Sequence, residues 1–389
     1  MANDFVTETT SQSWFGRIGS AIKGVLFGIV LFAVSFVVLF WNEGRAVTTA
    51  QSLSEGAKSV ISVTADKREA QHEGKLVHLT GQATTNETLS DAQFGIAVNA
   101  LKLQRQVQMY QWQEKKESRK EKKLGGSEET TTTYSYTLGW TDKAVDSSRF
   151  KVQEGHVNPP VSLADLSVSA QGVTVGDFQL SPGLLAQISN TETLPPPATQ
   201  PAGLGREFHK TATGYYRGSD PEKPQLGDLR ITFSVVRPQT VSVVAQQAGT
   251  GLRGYATAAG RTLEMLTAGT HAAAEMFATA QKENSIMTWI LRLVGFIVMW
   301  LGLSLILNPF KILADVVPFV GSIVGVGIGL VTLLVALPLS LITIAIAWIF
   351  YRPLLGISLL VLAVAVIVLL VRRMKKQPVA RTTSVPAAG

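Results

Sequence analysis

Gly24–Trp41 reads GVLFGIVLFAVSFVVLFW, eighteen residues without a charge, and this run decides what kind of protein the chain encodes. As a helix it measures about 27 Å at about 1.5 Å per residue, close to a bilayer hydrocarbon thickness of about 30 Å. Arg17 and Lys23 precede it, and Trp41 closes it where an indole ring sits at the membrane–water boundary. Its length and bulk read as an uncleaved anchor rather than a secretory signal peptide.

Working outward, residues 42–287 have the composition of an ordinary soluble sequence, and three more apolar runs follow at Trp289–Leu307, Val316–Phe350 and Leu354–Val371. Net charge is +7, but after Asp315 there is no acidic residue, while Arg352, Arg372, Arg373, Lys375, Lys376 and Arg381 add six positive charges. The basic character is therefore a feature of the membrane flank, which fixes orientation and attracts anionic lipid, and nucleic acid is excluded as a partner. The chain has no cysteine, so disulfides, thiolate metal sites and cysteine nucleophiles are excluded too.

With positive charge held on the cytoplasmic side, the expected order is a cytoplasmic tail at 1–23, a first span at 24–41 and an extracytoplasmic domain at 42–287. A second span at 288–307, a third at 316–350, long or kinked at Pro338, a fourth at 354–371 and a basic cytoplasmic tail at 372–389 complete it. The fold class is thus an α+β membrane protein with four transmembrane helices, one N-terminal and three C-terminal, and a β-rich domain between the first and second. Crossing twice in 316–350 would put the basic tail outside. Polar residues inside the spans are almost absent, which argues against a transport pathway. Arg292 is read as snorkelling to its helix end, Lys311 and Asp315 as an i,i+4 pair, and GVGIG at 325–329 as a face for close helix approach.

In the soluble block, period-two alternation marks strands at Lys75–Thr80, Val173–Leu180, Leu229–Val236 and Thr240–Ala245, with Arg237-Pro238 turning between the last two. VQMYQWQE (107–114) and TYSYTLGW (133–140) form aromatic-rich flanks of a hairpin. Between them EKKESRKEKKLGGSEE (114–129) carries six basic residues against five acidic ones, a solvated excursion. Three-to-four spacing of Leu252, Tyr255, Ala259, Leu263, Leu266, Ala273 and Phe277 predicts an amphipathic helix over 246–281, and TLPPPATQPAG (193–203) an exposed loop. The histidines, His72, His78, His156, His209 and His271, give no shared metal site. Asp146 and Ser147 near His156 could be imagined as a hydrolase constellation, but no GxSxG, SxxK or HExxH accompanies them, and no cofactor is implied.

The motifs taken together resemble a known family. WNEGRAV (41–47), which carries Trp41, Asn42, Glu43, Gly44 and Arg45, comes first. YQW (110–112) with Tyr110 and Trp112, YSY (134–136) with Tyr134 and Tyr136, Trp140, and DSSRF (146–150) with Asp146 and Ser147 follow. GHVNPP (155–160) supplies Gly155, His156, Asn158 and Pro159, and GDLRITFS (227–234) supplies Gly227 and Asp228. With VVAQQ (243–247) and a terminal NPF…VP…YRP pattern, this order resembles the transmembrane protein 43 (LUMA) family.

That resemblance implies four spans, a large lumenal or periplasmic domain and cytoplasmic termini. It also implies a membrane organiser that self-associates and binds other envelope proteins, with no shared enzymatic motif. The short N-terminal tail and the Ala- and Pro-containing C-terminus point to a bacterial inner membrane, with the endoplasmic reticulum or nuclear envelope as the eukaryotic equivalent. The expected function is a non-enzymatic scaffold with membrane lipid, further copies of itself and other envelope proteins as partners. The alternative is a membrane-anchored enzyme or lipid sensor with a cryptic site in the β domain.

Overall fold

A computed structural model describes residues 5–201 and 203–353. In chain order its principal elements begin with strand β1 (Phe5–Gln12), helix α1 (Trp14–Ser59), β2 (Leu76–Thr85), β3 (Lys102–Lys122) and β4 (Glu128–Thr141). Next come β5 (Val173–Val175), β6 (Phe178–Gln179), β7 (Gly214–Arg217), β8 (Leu229–Val236), β9 (Gln239–Ala248), β10 (Gly251–Arg253) and β11 (Met265–Ala268). Helices α2 (Ala273–Ala314) and α3 (Pro318–Tyr351) end the described chain. It divides into two compact units, one of Met1–Gly19, Thr48–Asn284 and Ile312–Gly321, the other of Ser20–Val47, Ser285–Lys311 and the chain from Ser322 onward.

The first unit is β-rich. Its larger sheet runs β1-β4-β3-β8-β7 and ends on Phe208–Lys210. Strand β3 is 21 residues long and serves two partners: Lys102–Met109 pairs with β8, and Met109–Lys122 pairs with β4. In β8 the side chains of Leu229, Ile231, Phe233 and Val235 are buried while Arg230 is exposed, the alternation that a one-sided sheet requires. Phe94 packs at ring-centroid distances of 5.7 Å on Phe208, 5.3 Å on Tyr215 and 5.3 Å on Phe233, forming the centre of the core. Burial of each such side chain contributes about 1.5–3 kcal/mol.

The second sheet closes on itself. β2 pairs with β9 and β5, β5 with β6, β6 with β10, and β10 with β9, so two long strands and three short ones form a ring. Gly176 (φ +57°) turns the chain between β5 and β6, which is why Val173–Leu180 is two strands rather than one. Against this ring the C-terminal end of α1 packs Leu53 on Leu76, Val244, Met276 and Phe277.

Two expectations are corrected in this unit. Residues 246–281 are not an amphipathic helix: β9 continues to Ala248, β10, two further two-residue strands and β11 follow, and helix begins only at Ala273. Gly249, Gly260 and Gly269 all have positive φ and reverse the chain at intervals, so the three-to-four spacing arose from successive short strands and not from one helical face. Residues 1–23 are also more than a tail. FVTETTSQ forms β1, paired antiparallel with Ser135–Glu128 of β4, and Ser13 then caps α1 by accepting from Gly16 N–H at 3.2 Å.

Among the described residues, three helices are long and apolar enough to cross a membrane: α1, α2 and α3. The fourth expected span, Leu354–Val371, lies outside the described residues, as does the basic tail. α3 is one continuous helix of 34 residues with Pro338 inside it. The tightest small-residue contact lies elsewhere than the stretch read in sequence. Of GVGIG, Gly325 packs on Lys311, whose Cε a Cβ would approach to 2.9 Å, and a Cβ on Gly327 or Gly329 would meet nothing within 4 Å, whereas a Cβ on Gly28 would lie 2.8 Å from the Gly302 carbonyl and one on Gly302 2.7 Å from Phe32 N. α1 and α2 therefore touch backbone to backbone at Gly28 and Gly302, the close approach that small residues permit in helices freed from side-chain bulk.

Candidate functional site

The WNEGR segment near the end of the first apolar run is the most densely bonded part of the helical unit. Glu43 is 2% exposed, and its two carboxylate oxygens accept from Arg292 Nε at 2.6 Å and Arg292 Nη2 at 2.8 Å. Trp348 Nε1–H donates to the same carboxylate at 2.8 Å. Three helices thus meet on one carboxylate, and the Arg292 guanidinium also lies 4.7 Å from the Trp289 ring and 5.7 Å from the Trp348 ring.

One residue earlier, Asn42 is fully buried and its Nδ2 donates to the Thr288 carbonyl at 3.1 Å. Arg45 donates to Asn42 Oδ1 at 3.3 Å and Thr288 Oγ1 at 3.0 Å. A Cβ on Gly44 would meet the Tyr351 ring at 2.5 Å, so only glycine admits that ring. Trp41 differs: it is 58% exposed, as an interfacial anchor is. Arg292 does not snorkel outward, because a bidentate carboxylate on the neighbouring helix holds it.

In the β-rich unit the scattered motifs converge where β3 and β4 leave the core. Tyr110 faces Trp140 across the hairpin at 5.3 Å, and Arg230 lies 4.4 Å from the Trp140 ring. His156, 3% exposed, stacks on Tyr136 at 4.0 Å and meets Trp112 edge-on at 4.8 Å. Asn158 substitutes for a strand: Oδ1 accepts from Trp112 N–H at 2.8 Å, and Nδ2 donates to the Trp112 carbonyl at 3.0 Å and the Val145 carbonyl at 3.2 Å. Tyr136 donates to Glu114 at 2.9 Å and accepts from Val152 N–H at 2.9 Å; burial first, and the Glu114 carboxylate second, hold its phenol above the ordinary value. Tyr134 lies between Lys116 and Lys151, 5.6 and 5.9 Å from its ring.

Gly155 takes φ +79° in the loop that delivers His156. Gly227, at φ +90°, accommodates Pro159, whose Cγ would be 2.9 Å from any Cβ there. Asp228 accepts from the Tyr216 hydroxyl and from Gln225 N–H at 2.7 Å, and its carbonyl accepts from Tyr110 N–H at 2.9 Å. Burial and this carboxylate push the Tyr216 phenol strongly upward.

Asp146 and Ser147 have structural partners here. Ser147 Oγ accepts from Asn158 N–H at 2.9 Å, while the Asp146 carboxylate accepts from Ser148 N–H and Oγ–H and pairs with Arg149 at 3.0 Å. Those Ser148 hydrogen bonds hold the Asp146 carboxyl below the ordinary range. A cavity of 680 Å³ beside β2 is lined by Ser62, Asp66, His78 and Thr80 among others, and none of the motif residues lines it. Among the described residues no group of three or more His, Asp or Glu could hold a metal.

A third cluster escaped the sequence reading. Asp315, in the turn after α2, is fully buried and accepts from Lys122 Nζ at 2.6 Å and Arg17 Nη2 at 2.5 Å, so it is not the partner of Lys311. Arg17 also donates to the Gly126 carbonyl at 2.6 Å and lies 3.6 Å from Glu128. Burial works against the Asp315 anion, but Lys122 and Arg17 outweigh it and hold the carboxyl below the ordinary range. A depressed carboxyl value adds stability above the unfolded-state value, lost as pH falls through the folded one. Protease nicking of the β3–β4 tip should therefore rise on acidification below about pH 4, and in Asp315→Asn it should be high already at neutral pH.

Long apolar helices joined by a buried ion pair and a mixed-strand domain inserted between the first and second define an integral, multi-span membrane protein of the α+β class. The family model for transmembrane protein 43 matches residues 109–353, and the chain belongs to that family. It is 35% identical over 361 residues to mouse transmembrane protein 43, covering 90% of each chain, and 34% identical over 379 residues to the human protein, covering 94% of each. The Drosophila melanogaster homolog is 33% identical over 343 residues, 86% of this chain and 90% of that one. No solved structure matches.

Proposed function

We propose that this membrane protein is a non-enzymatic scaffold that associates with further copies of itself and presents an extracytoplasmic β domain to other envelope proteins or to lipid. The observation that carries this reading is the engagement of its motif side chains. Glu43, Asn42 and Arg45 bond to neighbouring helices, and Asn158, Ser147, Tyr136 and Asp228 bond to the hairpin base. Catalytic groups would instead converge on an open cleft. Membrane lipid is the partner of the apolar helix faces, where Leu26, Phe27, Val30, Leu293 and Val326 are exposed. The positive-inside argument puts both termini in the cytoplasm.

Purification in mild detergent followed by light-scattering mass measurement tests the association. The expected result is a discrete oligomer that survives dilution; a strict monomer that brings down no envelope protein would remove the scaffold reading.

A further inference from the structure

The cluster around Asp315 constrains which side of the membrane each of its members occupies. Arg17 lies seven positions before the first apolar run, and Asp315 eight positions after the end of the second. Both are therefore at the membrane face where α1 begins and α2 ends. The β3–β4 tip is bound to the same place by several independent contacts. Lys122 reaches Asp315, Gly126 receives Arg17 and would bring any Cβ within 2.4 Å of the Trp14 ring, and Gly125 N–H donates to the Val316 carbonyl at 3.1 Å. Trp14 Nε1–H in turn donates to the Ile312 carbonyl at 2.8 Å. β1, which precedes the first span, meets the tip only at its end, where Gln12 lies opposite Glu128, and from there runs back along β4 to Phe5 opposite Ser135, sharing the ribbon's path.

The base of the same hairpin belongs to the domain that follows the first span, where Trp112, Tyr136 and His156 pack together. From Glu114, opposite Tyr136, to Lys122 is about 26 Å of extended strand, comparable with a hydrocarbon thickness of about 30 Å. We infer that the β3–β4 hairpin passes the level of the bilayer, so that its tip lies on the N-terminal face of the membrane while the rest of the domain lies on the opposite face.

Composition adds a condition. The ribbon carries Glu114, Lys115, Lys116, Glu117, Arg119 and Lys120 on β3 and Thr130–Thr133 on β4, and lipid hydrocarbon cannot solvate these or an open strand edge. The hairpin therefore follows an aqueous or protein-lined route.

A chain without cysteine gives the test a zero background. Single Ser11→Cys, Leu124→Cys and Asn190→Cys variants in sealed vesicles, probed with a membrane-impermeant maleimide, report the tip-side end of the N-terminal strand, the hairpin tip (Leu124 is 84% exposed) and the domain. The expected result is that Ser11→Cys, opposite Glu129 beside the tip, and Leu124→Cys react from one face and Asn190→Cys only from the other, with loss of that sidedness on permeabilisation. Leu124→Cys reacting with Asn190→Cys, or all three from one face, overturns the inference. Because the tip substitution could itself disturb the turn, Ser127→Cys is labelled in parallel and must show the same sidedness.

Discussion

Arg292→Met is expected to destabilise the helical unit by about 3–5 kcal/mol, because it leaves the Glu43 carboxylate buried with no cation while removing two charge-assisted hydrogen bonds. The same arithmetic gives a sharper expectation for the pair. Glu43→Leu combined with Arg292→Met removes both charges, and a buried ion pair replaced by apolar groups of similar volume is often neutral. The double variant should therefore recover most of the loss in a detergent thermal melt followed by tryptophan fluorescence, to which Trp289 and Trp348 beside the guanidinium contribute. If the double variant melts as low as the single one, the Glu43–Arg292 pair is not what couples the helices. Arg292→Lys should fall between, since an ammonium cannot meet both carboxylate oxygens with a planar fork.

Asn158→Leu is the corresponding test of the β-rich unit. The amide satisfies Trp112 N–H, the Trp112 carbonyl and the Val145 carbonyl at once, and leucine of similar size leaves all three without it. Each buried polar group that loses its partner costs about 1–3 kcal/mol. With partial relaxation the expected loss is about 3 kcal/mol, a fall in melting temperature of about 6–12 °C for a domain of this size. Asn158→Asp separates the parts, because its carboxylate still accepts from Trp112 N–H but cannot donate to either carbonyl. A melt unchanged by Asn158→Leu would mean that the hairpin base is held by its rings alone.

The features legible in sequence were those with a local period. Leu229–Val236 was read to the residue because β-branched and aromatic side chains alternate with polar ones along its whole length. The aromatic flanks at 107–114 and 133–140 do pair across one hairpin, with Tyr110 opposite Trp140. Gly24–Trp41 lies within α1, although that helix extends well past both of its ends.

Pairings that join distant segments left little local trace. Glu43 and Arg292 are 249 positions apart, and each alone looks like an ordinary charge at the end of an apolar run. The one available signal was matching depth: Arg292 interrupts the second apolar run three residues after Trp289, and Glu43 follows the first run two residues after Trp41. Asp315 was assigned to Lys311 by helical spacing, yet Lys122 and Arg17 hold it from segments 193 and 298 residues away. β1 was unreadable for a different reason: its burial pattern is almost wholly exposed, so no buried face imposes an alternation on FVTETTSQ. The amphipathic-helix expectation failed because a glycine-punctuated series of short strands can place apolar residues at helical intervals by coincidence.

The closed five-stranded ring has a consequence for how the chain is made. β2 pairs with β9 in a register that sets Ala83 against Gln239, so its partner is synthesised more than 150 residues later. At roughly 5–20 residues per second, β2 waits on the order of ten to thirty seconds with that edge open. The ring therefore stays open through that interval, and Gln239–Arg253, which supplies β9 and β10 together, is the segment whose arrival lets it close. A ribosome stalled before Gln239 would present an incomplete ring, and one stalled beyond Arg253, with that segment clear of the exit tunnel, a complete one.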